Sequence, residues 1–318
     1  MLAKSKSTSD DGAAKQADLF NRIDAGPFPF LLILPSVLVI VLVVAFPLIY
    51  SLYVSFTPYE LLRPNSLNFQ LAKALKNYQK LLNDDIFWRS LWNTIIFLAV
   101  SVNLSYVISL ALSQLLARVT VGQSLLRTLL MVPMMFAPIL VGMQFRWFFN
   151  ANVGLVNNFL ISLGLIQVQG QIAWLVDVPL GMITIILASV WMNIPVLTII
   201  LLAGTLSLPT ETFEAAEVDG ASGWQKFRFI TFPLLAPFSY IALTIMSLDI
   251  ARAFDIVRIM TDGGPARRTE MLWTYITRLA IEDTKFGLGS AMSWITVFLS
   301  VLFTLYFFRQ LVRARIVR

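Results

Sequence analysis

The 318-residue sequence contains no cysteine and no histidine. Their absence excludes disulfide bonds, thiol nucleophiles, histidine bases and the common zinc ligands. The sequence also lacks a G-x-x-x-x-G-K-[ST] loop, the element that cradles the phosphates of ATP in many ATPases. Since no paired acids stand out at membrane depth either, we expect no catalytic residue, no metal site and no cofactor bound by this chain.

Charged residues are scarce, at 13% of the chain, whereas hydrophobic residues make up 58%. An average soluble domain is about a quarter charged and half apolar, so this composition predicts a membrane protein. The net charge of +6 is carried largely by segments that flank apolar stretches. It therefore indicates topology and not nucleic-acid binding.

Six apolar stretches are long enough to cross a bilayer as helices, which takes roughly 20 residues each. Helices are expected because an open sheet edge cannot satisfy its backbone groups in lipid. The stretches are 28–56, 91–116, 125–149, 180–207, 230–249 and 286–308. The sequence thus predicts an all-α polytopic membrane protein with six transmembrane helices. Prolines inside several of these stretches are expected to bend the helices that contain them.

The distribution of basic residues predicts the orientation of the chain. Segment 309–318 contains four arginines and no acid, which places it in the cytoplasm, whereas 151–178 contains neither Lys nor Arg and suits an outer loop. Six crossings then put both termini in the cytoplasm. We expect residues 1–26 to be a cytoplasmic N-terminal tail and residues 27–318 to form the transmembrane domain.

The loop 208–229, between the fourth and fifth stretches, has the pattern of a short polar helix. Thr210 is predicted to cap a helix that starts at Glu211, and two alanines near its middle favour helix formation. Gly220 stands where a residue in the left-handed conformation ends such a helix. A second short helix is predicted over 223–229, leading into the fifth span.

Residues 214–237, EAAEVDGASGWQKFRFITFPLLAP, resemble the signature loop of permease subunits of bacterial ABC importers, E-A-A-x-x-x-G followed by I-x-x-P. The fuller form resembles the carbohydrate-uptake branch, the maltose/glycerol-phosphate type of sugar permease, and so do 93–94 and 261–265. The resemblance implies a type I ABC importer-like fold with a cytoplasmic coupling helix. The residues that it implies for coupling to the ATPase are Glu214, Ala215, Ala216, Asp219, Gly220, Ala221, Phe227 and Pro233.

The resemblance also implies a set of partners in the bacterial cytoplasmic (inner) membrane. A second, homologous permease would share the translocation path, so a heterodimer is expected. Two cytoplasmic ATPase subunits would hold ATP and Mg²⁺, and an extracytoplasmic sugar-binding protein would dock on the outer loops. ATP hydrolysis is thus expected on a separate subunit, which means that this chain is not itself an enzyme.

Sugars are usually held in cavities by aromatic faces and hydrogen-bonding groups. The path candidates at membrane depth are Asn103, Tyr106, Gln144, Trp191, Asn193, Tyr240, Ser247 and Trp294. For each, the alternative is an anchoring aromatic at a span end or a polar group bonded between helices. Asp249, Arg252 and Asp255 follow one another at spacings of three and are interpreted as a structural ion-pair group.

Two other classes of protein remain as alternatives. An ion-coupled secondary transporter of a small polar solute would be favoured by mid-span carboxylates and an inverted repeat, and neither is evident. A membrane-embedded enzyme would need paired acids at membrane depth. Both alternatives fit the sequence less well than the importer permease.

Overall fold

A computed structural model describes residues 28–69 and 74–316, which are helical apart from turns and one isolated bridge between Glu60 and Arg63. The predicted tail 1–26 lies outside the described residues. The chain divides into two compact units, 1–54 and 55–318. The all-α prediction is confirmed for the part of the chain that the structure describes.

In the described part of the first unit, from residue 28 onward, the chain is one apolar helical run that ends at the border with the second unit. It consists of α1 (Phe28–Ile40), a π-helical turn (Val41–Ala45) and α2 (Phe46–Ser55). Residues 30–55 are long and apolar enough to cross a membrane, and side chains such as Leu31 and Ile49 are exposed. Exposed apolar side chains on all sides are expected of a helix in contact with lipid.

The second unit contains thirteen α-helices within the described residues, several of them short. They are α3 (Lys76–Leu82), α4 (Asp85–Arg118), α5 (Gln123–Met131), α6 (Pro138–Phe148), α7 (Leu155–Ser162), α8 (Leu180–Leu206), α9 (Thr210–Val218), α10 (Gly223–Lys226), α11 (Phe232–Leu234), α12 (Ala236–Ala251), α13 (Asp255–Met260), α14 (Leu272–Thr277) and α15 (Phe286–Ile316).

Among the described residues, three helical runs can each cross a membrane alone: 30–55, α4 and α8. The third and fifth predicted spans are not straight helices. The run through α5 bends by 92° before α6, and the run through α10 and α11 bends by 63° before α12. The sixth predicted span lies in α15, where the apolar stretch assigned from described residues is Phe286–Leu302. The count of six transmembrane helices therefore stays a prediction.

Prolines account for both bends. Phe136 and Ala137 have extended backbones directly before Pro138, as the residue before a proline prefers. Pro233 and Pro237 flank the second break and lack the N–H that would continue the helix. The sequence predicted bending at these positions but not breaks of this size.

The centre of the second unit is the packing of α4 against α8. Four buried serines, spaced four residues apart on α4, form a stripe of small side chains: Ser101, Ser105, Ser109 and Ser113. The hydroxyl of Ser109 donates a hydrogen bond to the carbonyl of Ile194 on α8, at 3.1 Å. Small residues of this kind allow close backbone approach between membrane helices.

The loops at the start of α4 are fixed by buried polar groups. Asp84 caps α4 by accepting a hydrogen bond from the backbone N–H of Ile86 at 2.9 Å, and it also accepts one from the Tyr275 hydroxyl. Burial, followed by the hydrogen bond to Asp84, raises the pKa of Tyr275 above its usual range. Nearby, the fully buried Glu270 forms an ion pair with Arg278 at 3.3 Å. These contacts join the start of α4 to α14, and they join the loop that precedes α14 to the residue that follows it.

Candidate functional site

Helix α9 carries the candidate site, and it starts one residue earlier than predicted. Thr210 is the first helical residue, and Pro209 occupies the capping position without a side-chain hydrogen bond. The prediction that Thr210 caps the helix is therefore wrong, because the extended backbone that a cap requires falls on Pro209. Glu211 lies in the first turn, where a negative charge favours the helix dipole.

The end of α9 is a closed turn built around Gly220, which has a φ of 75°. The N–H of Gly220 donates to the carbonyl of Glu217 at 3.0 Å, and that of Ala221 donates to the carbonyl of Ala216 at 2.9 Å. These two bonds form the Schellman motif, which needs a left-handed residue at this position. The predicted terminating role of Gly220 is confirmed.

The chain restarts at once in a second capped helix, α10. Ser222 accepts a hydrogen bond from the backbone N–H of Gln225 at 3.3 Å, and the Gln225 side chain accepts one from the N–H of Ser222 at 2.7 Å. This reciprocal pair is a capping box. The predicted helix over 223–229 is present over Gly223–Lys226, and a π-helical turn, Phe227–Thr231, follows it.

An ion pair joins the two helices across the turn. The ammonium of Lys226 donates to the Glu217 carboxylate at 2.5 Å. This hydrogen bond, and then the positive charge of Lys226, lower the pKa of Glu217 below its usual value. The sequence pattern did not reveal this pair, because the two residues lie on different helices and no helical spacing relates them.

Phe227 connects the segment to the transmembrane helices. Its ring stacks on Trp224 with 5.5 Å between centroids, and its side chain packs against the buried cluster of Leu110, Leu201 and Leu235. In this cluster Leu110 lies on α4, Leu201 lies on α8 and Leu235 lies at the break before α12. Phe227 thus contacts three of the segments that the membrane-spanning part of the unit contains.

The segment leaves three large apolar side chains exposed. Val218, Trp224 and Phe229 are 89%, 65% and 69% exposed. Of the eight predicted coupling residues, five are exposed (Glu214, Ala215, Asp219, Gly220 and Pro233) and three are half-buried (Ala216, Ala221 and Phe227). An exposed apolar surface rimmed by polar residues is typical of a protein interaction site.

The predicted path residues differ in their exposure and in their hydrogen-bond partners. Asn103 and Gln144 are exposed, and Asn103 donates to the carbonyl of Ala99 at 2.7 Å. Tyr106 donates to the hydroxyl of Ser239 at 2.9 Å. Four further path candidates are buried or half-buried: Trp191, Ser247, Tyr240 and Trp294. The ring of Trp191 lies 5.6 Å from that of Phe145. The hydroxyl of Ser247 donates to the carbonyl of Thr244 at 3.0 Å.

Asn193 is the predicted path residue that lines a polar cavity of about 290 Å³. The side chains of Asp249, Arg252 and Asp255 line the same cavity. Arg252 pairs with Asp249 at 3.4 Å, so the predicted ion pair is present. The spacing of three in the sequence predicts that these charged residues form an ion-pair group. Their position beside Asn193 follows only from the packing of α8 near the end of α12. Within residues 28–69 and 74–316, no group of three or more acids could hold a metal ion.

Comparison with known proteins agrees with this architecture. A profile of the family described as the binding-protein-dependent transport system inner membrane component matches residues 106–318. A probable ABC transporter permease protein of Brucella suis biovar 1 (strain 1330) is 32% identical over 284 residues, covering 88% of this chain and 95% of that protein. The trehalose/maltose transport system permease protein MalF of Thermococcus litoralis is 31% identical over 286 residues, covering 88% and 92%.

Solved structures share the fold. A chain of a bacterial ABC transporter involved in import of the acidic polysaccharide alginate superimposes with a TM-score of 0.78 at 19% identity, covering 93% of this chain and 99% of that one. A chain of the alginate transporter in complex with its alginate pentasaccharide-bound periplasmic protein gives 0.76 at 19% identity, covering 91% and 95%.

Proposed function

This chain belongs to the family of binding-protein-dependent transport system inner membrane components, the permeases of ABC transporters, and on that premise we propose that it forms part of the path of an ATP-driven sugar or oligosaccharide importer. The cargo class is supported by relatives named for trehalose/maltose, for diacetylchitobiose and for sulfoquinovosyl glycerol. The chain is then a multi-pass inner-membrane protein that works with separate subunits.

The segment 208–229 is proposed to couple this permease to a cytoplasmic ATPase. The observation that carries the proposal is that α9 is closed at Gly220 by its own hydrogen bonds while Val218, the last residue of the helix, is 89% exposed. A helix that is formed before binding loses little conformational entropy when it docks. When the docked helix α9 is displaced, Phe227 transmits that displacement to the cluster that contains Leu201 and Leu235.

In energetic terms, ATP must bind the closed form of the ATPase more tightly than the open form. Docking of α9 links that difference to the conformation of the permease, so the coupling is a free energy shared between two sites. Nucleotide and Mg²⁺ belong to the ATPase subunits in this scheme. Both termini and α9 face the cytoplasm, and a sugar-binding protein and a second permease complete the assembly.

The polar cavity at Asn193 is proposed as this subunit's part of the sugar path. Its volume of about 290 Å³ is close to the lower limit for pockets that hold small ligands. The amide of Asn193 and the charged groups of Asp249, Arg252 and Asp255 supply both hydrogen-bond donors and hydrogen-bond acceptors. A second, homologous permease facing it would complete the enclosure.

The test is purification of the tagged chain from its native membrane in mild detergent, combined with solute uptake by intact cells. We expect an ATPase, a second permease and an exported binding protein to co-purify, and we expect uptake to stop when ATP is depleted. Recovery of the chain alone, with uptake that survives ATP depletion and stops when the proton gradient collapses, would support the ion-coupled transporter instead.

A further inference from the structure

A cavity of about 870 Å³ lies beside the coupling segment and not along the proposed sugar path. One wall is a face of α4, and the opposite wall is formed by α10 and the start of the π-helical turn. The residues that the argument uses are Ala111, Gln114, Arg118, Thr205, Trp224 and Lys226. Nothing in the coupling mechanism requires a space of this size.

The cavity changes in polarity along its depth. Arg118 lies in the last turn of α4, and Gln114 and Ala111 lie about one and two turns further into the membrane span. The wall therefore extends about 10 Å from the charged end into the span, at 1.5 Å per residue. Gln114 donates one amide hydrogen to the hydroxyl of Thr205 at 2.9 Å. The other two side chains of α4 that line this part of the wall, Ala111 and Ala117, are apolar, so the inner part of the wall is mainly apolar.

The mouth of the cavity is cationic. Arg118 and Lys226 line it, and the lining residues that the structure describes include no Asp or Glu. Glu217 engages Lys226 from outside the cavity, so the unbalanced positive charge is that of Arg118. In the described ranges 28–69 and 74–316, Arg118 is exposed and has no ion pair. Trp224, beside it, is an aromatic residue suited to the level of lipid headgroups.

We propose that this cavity binds an anionic phospholipid, with its phosphate at Arg118 and Lys226 and one acyl chain along the wall from Gln114 to Ala111. An apolar depth with a cationic mouth matches an amphiphile of negative charge, and basic pockets between transmembrane helices are a recognised form of lipid site. Because the lipid would contact Trp224, its binding would stabilise the coupling segment. Placement at the cytoplasmic leaflet depends on the orientation in the proposed function, whereas the binding itself does not.

The experiment uses the complete complex, purified and partly delipidated, with phosphatidylglycerol added in competition with phosphatidylcholine. Native mass spectrometry counts the lipids that stay bound. We expect selective retention of phosphatidylglycerol, with binding weakened roughly fivefold by Arg118→Gln, as for the loss of one charge contact at an anionic surface. Ala117→Trp, which places a bulky ring in the lining, is expected to abolish retention.

The matched control is Arg228→Gln, because Arg228 is on the same segment but lies over the ring of Phe229 and does not line the cavity. Equal losses with Arg228→Gln and Arg118→Gln would overturn the proposal. Displacement of the lipid by inorganic phosphate or glycerol phosphate would overturn it in favour of a free-anion site. A cross-linker at Ala117→Cys that captures a partner subunit instead of lipid would show that protein fills the cavity. None of these results depends on transport, so they leave the proposed function untouched.

Discussion

Gly220 is the residue whose backbone conformation the coupling turn depends on. Its φ of 75° is costly for other residues, but a Cβ added there would meet no atom within 4 Å. A substitution at this position therefore strains the backbone without causing a steric clash within the described chain. The left-handed conformation costs residues other than glycine about 1–2 kcal/mol, and a β-branched side chain more.

We predict that Gly220→Val abolishes uptake while membrane insertion and expression stay normal. Gly220→Asn should retain more activity, because asparagine tolerates the left-handed region. Gly223→Ala is the control: its Cβ also meets open space, but its φ is ordinary, so uptake should be kept. Uptake by all variants would be measured at matched membrane levels. Normal uptake by Gly220→Val would contradict this account of the turn.

Gly204 is needed for a different reason, the close approach of α8 to α12. A Cβ at this position would lie 2.6 Å from Cγ of Phe238 and 3.0 Å from Cδ2 of Leu235. Leu235 is fully buried at the break before α12, so it has little room to shift. We predict that Gly204→Ala lowers stability by about 1–3 kcal/mol, as overpacking does.

The measurement for Gly204→Ala is thermal unfolding of the purified protein in detergent. Leu206→Ala on the same helix is the control, since Leu206 is 55% exposed and its loss should change stability little. Adding Phe238→Leu to Gly204→Ala should recover part of the loss. The alternative outcome is that adding Phe238→Leu lowers the stability of Gly204→Ala by as much as Phe238→Leu lowers that of the wild type. In that case the contact between Gly204 and Phe238 is not the reason that Gly204→Ala destabilises the protein.

At the scale of the elements, the ion pair between Glu217 and Lys226 fixes α9 relative to α10. We predict that Glu217→Lys lowers the number of sugars transported per ATP hydrolysed, with the assembly intact. The double variant Glu217→Lys with Lys226→Glu should recover much of that ratio, because it restores the ion pair with the two charges exchanged. A purely local stabilising role would leave the ratio unchanged.

The same pair predicts a pH dependence of definite sign. Since the pKa of Glu217 is lowered in the folded protein, its contribution is present above the pKa of the unfolded state. It is lost as the pH falls through the lowered pKa of the folded state. The coupling ratio should therefore be level near neutral pH and should fall only in acid. A loss on raising the pH from neutrality would assign the dependence to another group.

Sequence alone predicted those elements whose cause is local. The turn at Gly220 follows from a glycine after a helical pattern, and the pair of Asp249 and Arg252 follows from a spacing of three. The pair of Glu217 and Lys226 and the position of Asn193 beside Asp255 depend on how separate helices pack, which no local pattern encodes. The 92° bend before α6 shows the same limit: the prolines predict that the helix bends there, but they do not predict its angle.

At the scale of the whole molecule, the fold is that of an ABC importer permease, and the second unit is organised around two ends. The loops at the start of α4 are held by the hydrogen bond from Tyr275 to Asp84 and by the buried pair of Glu270 and Arg278. The other end carries α9 with its exposed face. The two ends thus differ: one is joined by contacts between its loops, and the other exposes a short helix.

The most direct test of the central claim is cross-linking from a single cysteine, which the absence of native cysteine makes possible in the wild-type background. Val218→Cys, at a position 89% exposed, carries a short thiol-reactive cross-linker in native membranes. Leu62→Cys, at a position 81% exposed near the predicted outer end, is the control. We predict that Val218→Cys captures an ATPase subunit with a yield that changes on adding ATP, and that Leu62→Cys captures none. Equal capture from both positions, or capture from neither, would contradict the docking of α9 on an ATPase.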